Sequence, residues 1–258
     1  MALPKIDTPV FEITLPVSQV NLKFRPFLVK EQKILLMAME SKDDKEIELN
    51  IQQILNNCNL SDVDIDTLPL VDIEYYFLNL RARSIGENVE TRYKCENEVD
   101  GKMCGNLMET NFDILNVNIT TPVEGTDLIK ITDKIGVKMK YPSFSVVKKI
   151  KIDEPQIDSA FKLLIECIDY VYDADNLYHA NEVPYEELEQ FIESMTKDQF
   201  SKVEAFVDNL PRLDKIINVN CKKCGFGHRI ELQGLQSCLL YTSPSPRDRT
   251  RSRMPSSA

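Results

Sequence analysis

The apolar positions of this chain change period several times, and the changes divide it into segments. Residues 11–15 alternate, with Phe11, Ile13 and Leu15 set against Glu12 and Thr14, and residues 20–27 alternate again through Val20, Leu22 and Phe24. A period of two on both sides of Pro16-Val17-Ser18-Gln19 predicts a hairpin. From Lys30 the period becomes helical, with Ile34, Leu35, Met37 and Ala38 on one side and Glu31, Lys33 and Glu40 on the other. After a break at 41–44, Ile47, Leu49, Ile51, Ile54, Leu55 and Cys58 form the stripe of a second helix. An acidic linker at 62–66 leads to a helix over 71–83 that carries Ile73, Tyr76, Phe77, Leu80 and Ala82, with Gly86 placed to end it.

Strand alternation returns at 88–95 and 106–112, a hairpin with its tip at 96–101. Further alternation at 114–119, 128–132 and 136–141 predicts a small antiparallel sheet closed by Pro142. Helical spacing resumes at 145–152 and at 157–172, where Phe161, Leu164, Ile165, Ile168 and Val171 share a face, and 173–182 reads as a polar loop. Helices at 185–194 and 197–208 follow, and the stretch between them offers a serine or threonine cap with acidic or amide groups in the next turn. Leu210-Pro211 ends the pair, and 216–220 and 228–232 read as returning strands.

Two cysteine hooks tie this pattern together: Cys95 with Cys104-Gly105, and Cys221-Lys222-Lys223-Cys224-Gly225. The second is a specific Cys-x-x-Cys-Gly knuckle, whereas the first has a spacing wider than the usual ~2–4 residues. If the hooks meet, four thiolates surround one ion in a closed tetrahedron, and residues near 95 and 221 become neighbours. The expected fold is therefore α+β: a small antiparallel zinc-ribbon-like sheet with a helical N-terminal region and a helical insertion. The expected segments are 1–87 (hairpin and helices), 88–142 (first half of the sheet), 143–213 (helical insertion) and 214–237 (second half of the sheet).

Residues 238–258 stand apart. Back-translated, 238–248 looks like a common sequencing adapter, so the segment from about Cys238 is read as adapter read-through and not native protein; the alternative, which its Ser/Pro/Arg content also suits, is a natural disordered basic tail. Without it, 31 basic and 41 acidic residues become 27 and 40, a net charge of −13. That sign argues against general affinity for nucleic acid or anionic membrane. No apolar run approaches the ~18 residues of a membrane span, and the first residues lack a signal-peptide pattern, so a cytoplasmic setting is expected. Cys58 and Cys167, in apolar helical patterns, read as reduced core residues, and the hook cysteines as metal ligands more than disulfides.

Other chemistries have weaker support. A redox dithiol at Cys221 and Cys224 would have Lys222 and Lys223 beside it but lacks a βαβ context. His228 is a potential replacement ligand, or simply the start of a strand. Two histidines and eight glycines in the chain, with no nucleophile elbow and no phosphate loop, leave catalysis with little support. The helix over 71–83 is either a core helix or a partner-binding face presenting Tyr75, Tyr76, Arg81 and Arg83, because a helix apolar on more than one side needs two partners.

Residues 9–16 (PVFEITLP), 24–33 (FRPFLVKEQK), 72–87 (DIEYYFLNLRARSIGE) and 135–142 (IGVKMKYP), in that order, resemble the baseplate hub subunit, or hub assembly protein, of T-even-type contractile-tailed phages. The resemblance implies a late, non-enzymatic role in virion morphogenesis, in which the protein either helps to build the hub with other hub proteins in the host cytoplasm or stays in the finished tail baseplate. It names no active site, and the hooks look like those of some members. Two expectations from other classes stand beside it: a phage zinc-ribbon nucleic-acid-binding or transcription factor, supported locally by Lys222, Lys223 and Arg229, and a thiol oxidoreductase.

Overall fold

A computed structural model describes residues 6–41, 44–120, 125–149 and 156–233; the expected adapter segment lies outside them. The chain opens with the predicted hairpin, β1 (Phe11–Thr14) against β2 (Asn21–Phe24), in register from Phe11↔Phe24 to Thr14↔Asn21. Helices α1 (Val29–Ser41) and α2 (Asp44–Cys58) follow, then a short 3-10 turn at Ile65–Thr67 and α3 (Leu70–Ile85). Gly86, at φ 129°, stops α3 and donates its N–H to the Ala82 carbonyl. A left-handed φ of this kind suits glycine and strains other residues.

Helix α3 is the axis of the N-terminal half. One side, through Ile73, Tyr76, Phe77 and Leu80, joins a cluster that includes Leu15, Leu22, Phe24, Leu35, Ile54 and Leu55. The other side, through Val71, Leu78 and Ala82, packs with Val89, Ile114 and Leu213. Both partners are supplied by the chain itself. Buried Asp72 at its first turn accepts from the Val17 and Ser18 N–H groups at 2.8 Å each, fixing the hairpin turn to the helix start.

The faces of α1 and α2 differ from the expected ones. Met37 and Leu49 are both 59% exposed, whereas Glu31 is fully buried. The reason for Glu31 is a partner outside the helix: Arg25 Nη2 lies 3.0 Å from its carboxylate, and the Leu28 N–H donates to it at 2.9 Å. Burial alone would raise its pKa, but Arg25 and that N–H hold it below the ordinary carboxylate value.

Next come β3 (Asn88–Lys94), β4 (Glu98–Val99), β5 (Lys102–Met103) and β6 (Leu107–Asp113). β3 pairs with β6, and β4 with β5 nested between them. β7 (Asn118–Thr120) and β8 (Leu128–Lys130) lead to β9 (Gly136–Met139), α4 (Phe144–Lys149) and α5 (Gln156–Glu166).

Here the structure corrects the sequence reading. The predicted helix over 157–172 ends at Glu166, and Ile168–Tyr172 is a strand, β10, while the supposed polar loop contains β11 (Leu177–His179). They complete an antiparallel sheet ordered β11-β10-β9-β8, which joins strands from both sides of residue 142. The segment 143–213 is thus not purely helical, and the strands of 88–142 and 214–233, expected as two halves of one sheet, belong to several small ones. α5 packs on that sheet and is joined by α6 (Tyr185–Glu193) and α7 (Lys197–Asp208) in one cluster, where Val137, Ile168 and Val171 share a core with Leu164, Leu188, Ile192, Val203 and Phe206. α7 begins with a full capping box between Thr196 and Gln199. β12 (Arg212–Asn220) then pairs with β13 (Gly227–Gln233) on one edge and β7 on the other.

Candidate metal centre

Two hairpins aim their ends at one point. β3 delivers Cys95, and Cys104-Gly105 follows β5; β12 delivers Cys221, and Cys224-Gly225 precedes β13. The two hooks close with the same bonds. Gly105 and Gly225 donate their N–H groups to the carbonyls of Cys95 and Cys221 at 3.0 and 2.8 Å, and the Cys95 and Cys221 N–H groups donate to Asn106 and Phe226 at 2.8 Å each. Both glycines are left-handed, at φ 63° and 75°, which is why glycine follows the second cysteine in each hook.

The wide first spacing now has a physical cause. Residues 98–103 form a miniature hairpin with Asp100 and Gly101 at φ 51° and 72°, the backbone of a tight Asp-Gly turn. Its base is closed by the Cys104 N–H donating to the Asn97 carbonyl at 2.8 Å. The eight intervening residues are a two-residue knuckle spacer, Glu96-Asn97, with a six-residue hairpin inserted in it.

The four sulfurs of Cys95, Cys104, Cys221 and Cys224 lie within 4.8 Å of one another. Cys95 Sγ stands 3.6 Å from Cys224 Sγ, and Cys104 Sγ 3.8 Å from Cys221 Sγ. A tetrahedron with metal–sulfur bonds of about 2.3 Å has edges of about 3.8 Å. The spacing therefore suits a bound ion, and it is well beyond the ~2.05 Å of a disulfide. The cysteines of the described residues are free thiols. Burial raises the Cys95 pKa, while the backbone N–H groups of Cys224 and Lys223 favour the Cys221 thiolate.

Other sequence candidates fall differently. His228 does not complete the sulfur set; its Nε2 lies 3.2 Å from Cys95 Sγ, at hydrogen-bonding distance, and its ring meets Phe226 edge-on at 4.8 Å. Asn97 and Asn106, which sequence reasoning overlooked, place Nδ2 at 3.7 Å from Cys224 Sγ and 3.5 Å from Cys221 Sγ. Nothing in their local pattern marks them, because their sulfur partners are more than a hundred residues away. Cys58 and Cys167 are buried, and burial pushes both thiols up to about 12, the behaviour of inert core residues. On α3, Tyr76 is fully buried and donates to the Leu55 carbonyl, and Arg81 is buried with Nη1 on the Gly86 carbonyl. Tyr75 is half-buried; Arg83 is exposed, paired with Glu87 at 3.0 Å and set over the Phe11 ring. Tyr76 and Arg81 are thus withheld from any partner face.

The ribbon's cations are interspersed with anions. Arg229 pairs with Glu231, Arg92 with Glu109, and Lys223 reaches the Cys104 carbonyl. No helix of the described residues is long and apolar enough to cross a membrane. The architecture is that of an α+β protein whose four-cysteine cluster can hold a metal ion and, with all four positions taken by sulfur, leaves none open for substrate. The chain matches the T4 bacteriophage base plate protein family over residues 8–240 and belongs to it. It is therefore a phage baseplate protein, a class whose partners are other phage tail proteins. Searches of curated proteins and of solved structures returned no match.

Proposed function

We propose that this protein is a non-enzymatic component or assembly factor of the tail baseplate hub, stapled by one structural zinc at Cys95, Cys104, Cys221 and Cys224. The observation that carries the reading is a closed four-sulfur cluster lying inside the family match. Assignment to the hub rests on the four sequence blocks at 9–16, 24–33, 72–87 and 135–142. The protein acts late, in the host cytoplasm during assembly, through contacts with other hub proteins, and its destination is the tail baseplate of the virion.

The ion would supply folding free energy to the ribbon, and the residues around it supply its cage. Cys95 and Cys221 are buried, so the ion would neutralise thiolates that water does not reach. The pairing of Arg229 with Glu231 and of Arg92 with Glu109 disfavours a nucleic-acid role, which needs a bare basic face. Sulfur contacts that run across the hooks disfavour a redox dithiol confined to the second hook.

The test is copurification with the other hub proteins of the same phage: a stable complex at micromolar concentration is expected, and its absence would count against hub assembly. Elemental analysis should give one zinc per chain; well under one removes the metal assignment.

A further inference from the structure

We infer that Asn97, Asn106 and His228 form a second layer of hydrogen-bond donors that crosses between the hooks, and that this layer sets the strength and electronic character of the metal site. The inference rests on the four-cysteine reading and deepens it. Asn97 and Asn106 belong to the first hook, yet their amides face the sulfurs of Cys224 and Cys221 in the second, at 3.7 and 3.5 Å. His228 belongs to the strand leaving the second hook, yet its Nε2 faces Cys95 of the first at 3.2 Å. Lys223 adds a fourth crossing contact, donating to the Cys104 carbonyl at 3.3 Å.

Each donor thus senses the opposite hook, and the two hooks recognise one another by polar contacts as well as through an ion. Four thiolates around a divalent cation leave two surplus negative charges, and two of the sulfurs, on Cys95 and Cys221, are buried. Such charge is costly unless donors disperse it. An amide or imidazole N–H aimed at sulfur supplies the opposing positive end of a dipole and fixes the ligand's orientation. These three side chains are positioning residues; they hold the sulfurs and do not bind the ion.

The experiment uses the full chain loaded with zinc or cobalt(II). Asn106→Leu and His228→Leu should each weaken zinc binding about 10- to 100-fold in competition with a chelator. Both should still bind one ion. In the cobalt form, the sulfur-to-metal charge-transfer band should move to longer wavelength, because a sulfur stripped of its N–H donor holds its lone pair less tightly. His228→Gln, which restores an N–H, should recover much of both signals. A purely structural role would not move the band of a variant that still binds cobalt through four sulfurs. Unchanged affinity and an unshifted band in variants that retain stoichiometric metal would overturn the second layer alone. Failure of the wild-type chain to bind either metal would overturn the four-cysteine reading together with it.

Discussion

On the proposed metal reading, the region around α3 and the ribbon around the cysteines are held by opposite means. Among the described residues, the first has a cluster of fifteen buried residues that includes Phe24, Tyr76, Phe77 and Phe144. The second has three, Cys95, Met108 and Cys221, and two of those are candidate ligands. A ribbon of this size removes too little apolar surface from water to offset the ordering of its backbone. Structural zinc contributes on the order of 10 kcal/mol in zinc-finger peptides, enough to replace a missing core. The lesson is that one chain uses hydrophobic burial where it has bulky side chains, and that the proposed coordination would serve where it has only two turns.

The most damaging test of this contrast is Cys221→Ser. Zinc content should fall from one per chain to near zero, and amide exchange protection should vanish across β3, β6, β12 and β13 while α2 and α3 stay protected. A thiol oxidoreductase would instead keep its fold and lose only activity. Equal loss of protection in both regions would erase the distinction. The reciprocal change, Phe77→Ala, empties part of the α3 core and should cost about 3–5 kcal/mol. Thermal unfolding should report that loss, with zinc still at one per chain at temperatures where the protein remains folded.

The same contrast explains what could be read from the residues in advance. The hooks, the first hairpin and the Thr196 cap were legible because each is a local spacing. Strand β10 was hidden because Phe161, Leu164, Ile165, Ile168 and Val171 fit one helical face, with no glycine or proline to mark the change at Cys167. What makes Ile168–Tyr172 a strand is pairing with β9, and β propensity yields to such context. Helical spacing alone places Glu31 opposite the apolar stripe, because Arg25, its partner, precedes the helix. Met37 and Leu49 were assigned inward because periodicity marks a stripe without showing how wide the covering surface is.

Acid should separate the regions next. Protons compete with metal for thiolates, whose unperturbed pKa is about 8.5, so the ribbon should open first as pH falls. The Glu31 carboxylate, with a folded pKa below its unfolded value, stabilises the N-terminal region at neutral pH. That contribution begins to fade below about pH 4.3 and is lost as pH passes through the lowered folded value. Glu31→Ala leaves the Leu28 N–H without its acceptor and Arg25 without its carboxylate, the guanidinium keeping the Pro26 and Asn57 carbonyls, and should cost about 3 kcal/mol at pH 7. The difference from wild type should then shrink toward acid in urea titrations of N-terminal unfolding. A constant difference across that range would show that packing, and not the ion pair, is what the substitution removed.

The smallest effect belongs to a residue in neither region. Thr196 caps α7 by accepting from the Gln199 N–H, while the Gln199 side chain accepts from the Thr196 N–H at 2.9 Å. Thr196→Ala takes the acceptor from one helix-end donor, the Gln199 N–H, and should cost about 1 kcal/mol. Because Val203 and Phe206 of α7 share one core with α5 and the sheet of β8 to β11, the loss should appear as faster exchange in α7 and that core. Zinc content and α3 protection should be unchanged. If a change this mild also loosened the ribbon, the two modes of stabilisation would be coupled through β12, which joins α7 to the Cys221 hook, and the ribbon's dependence on metal would be shared with the helices before it.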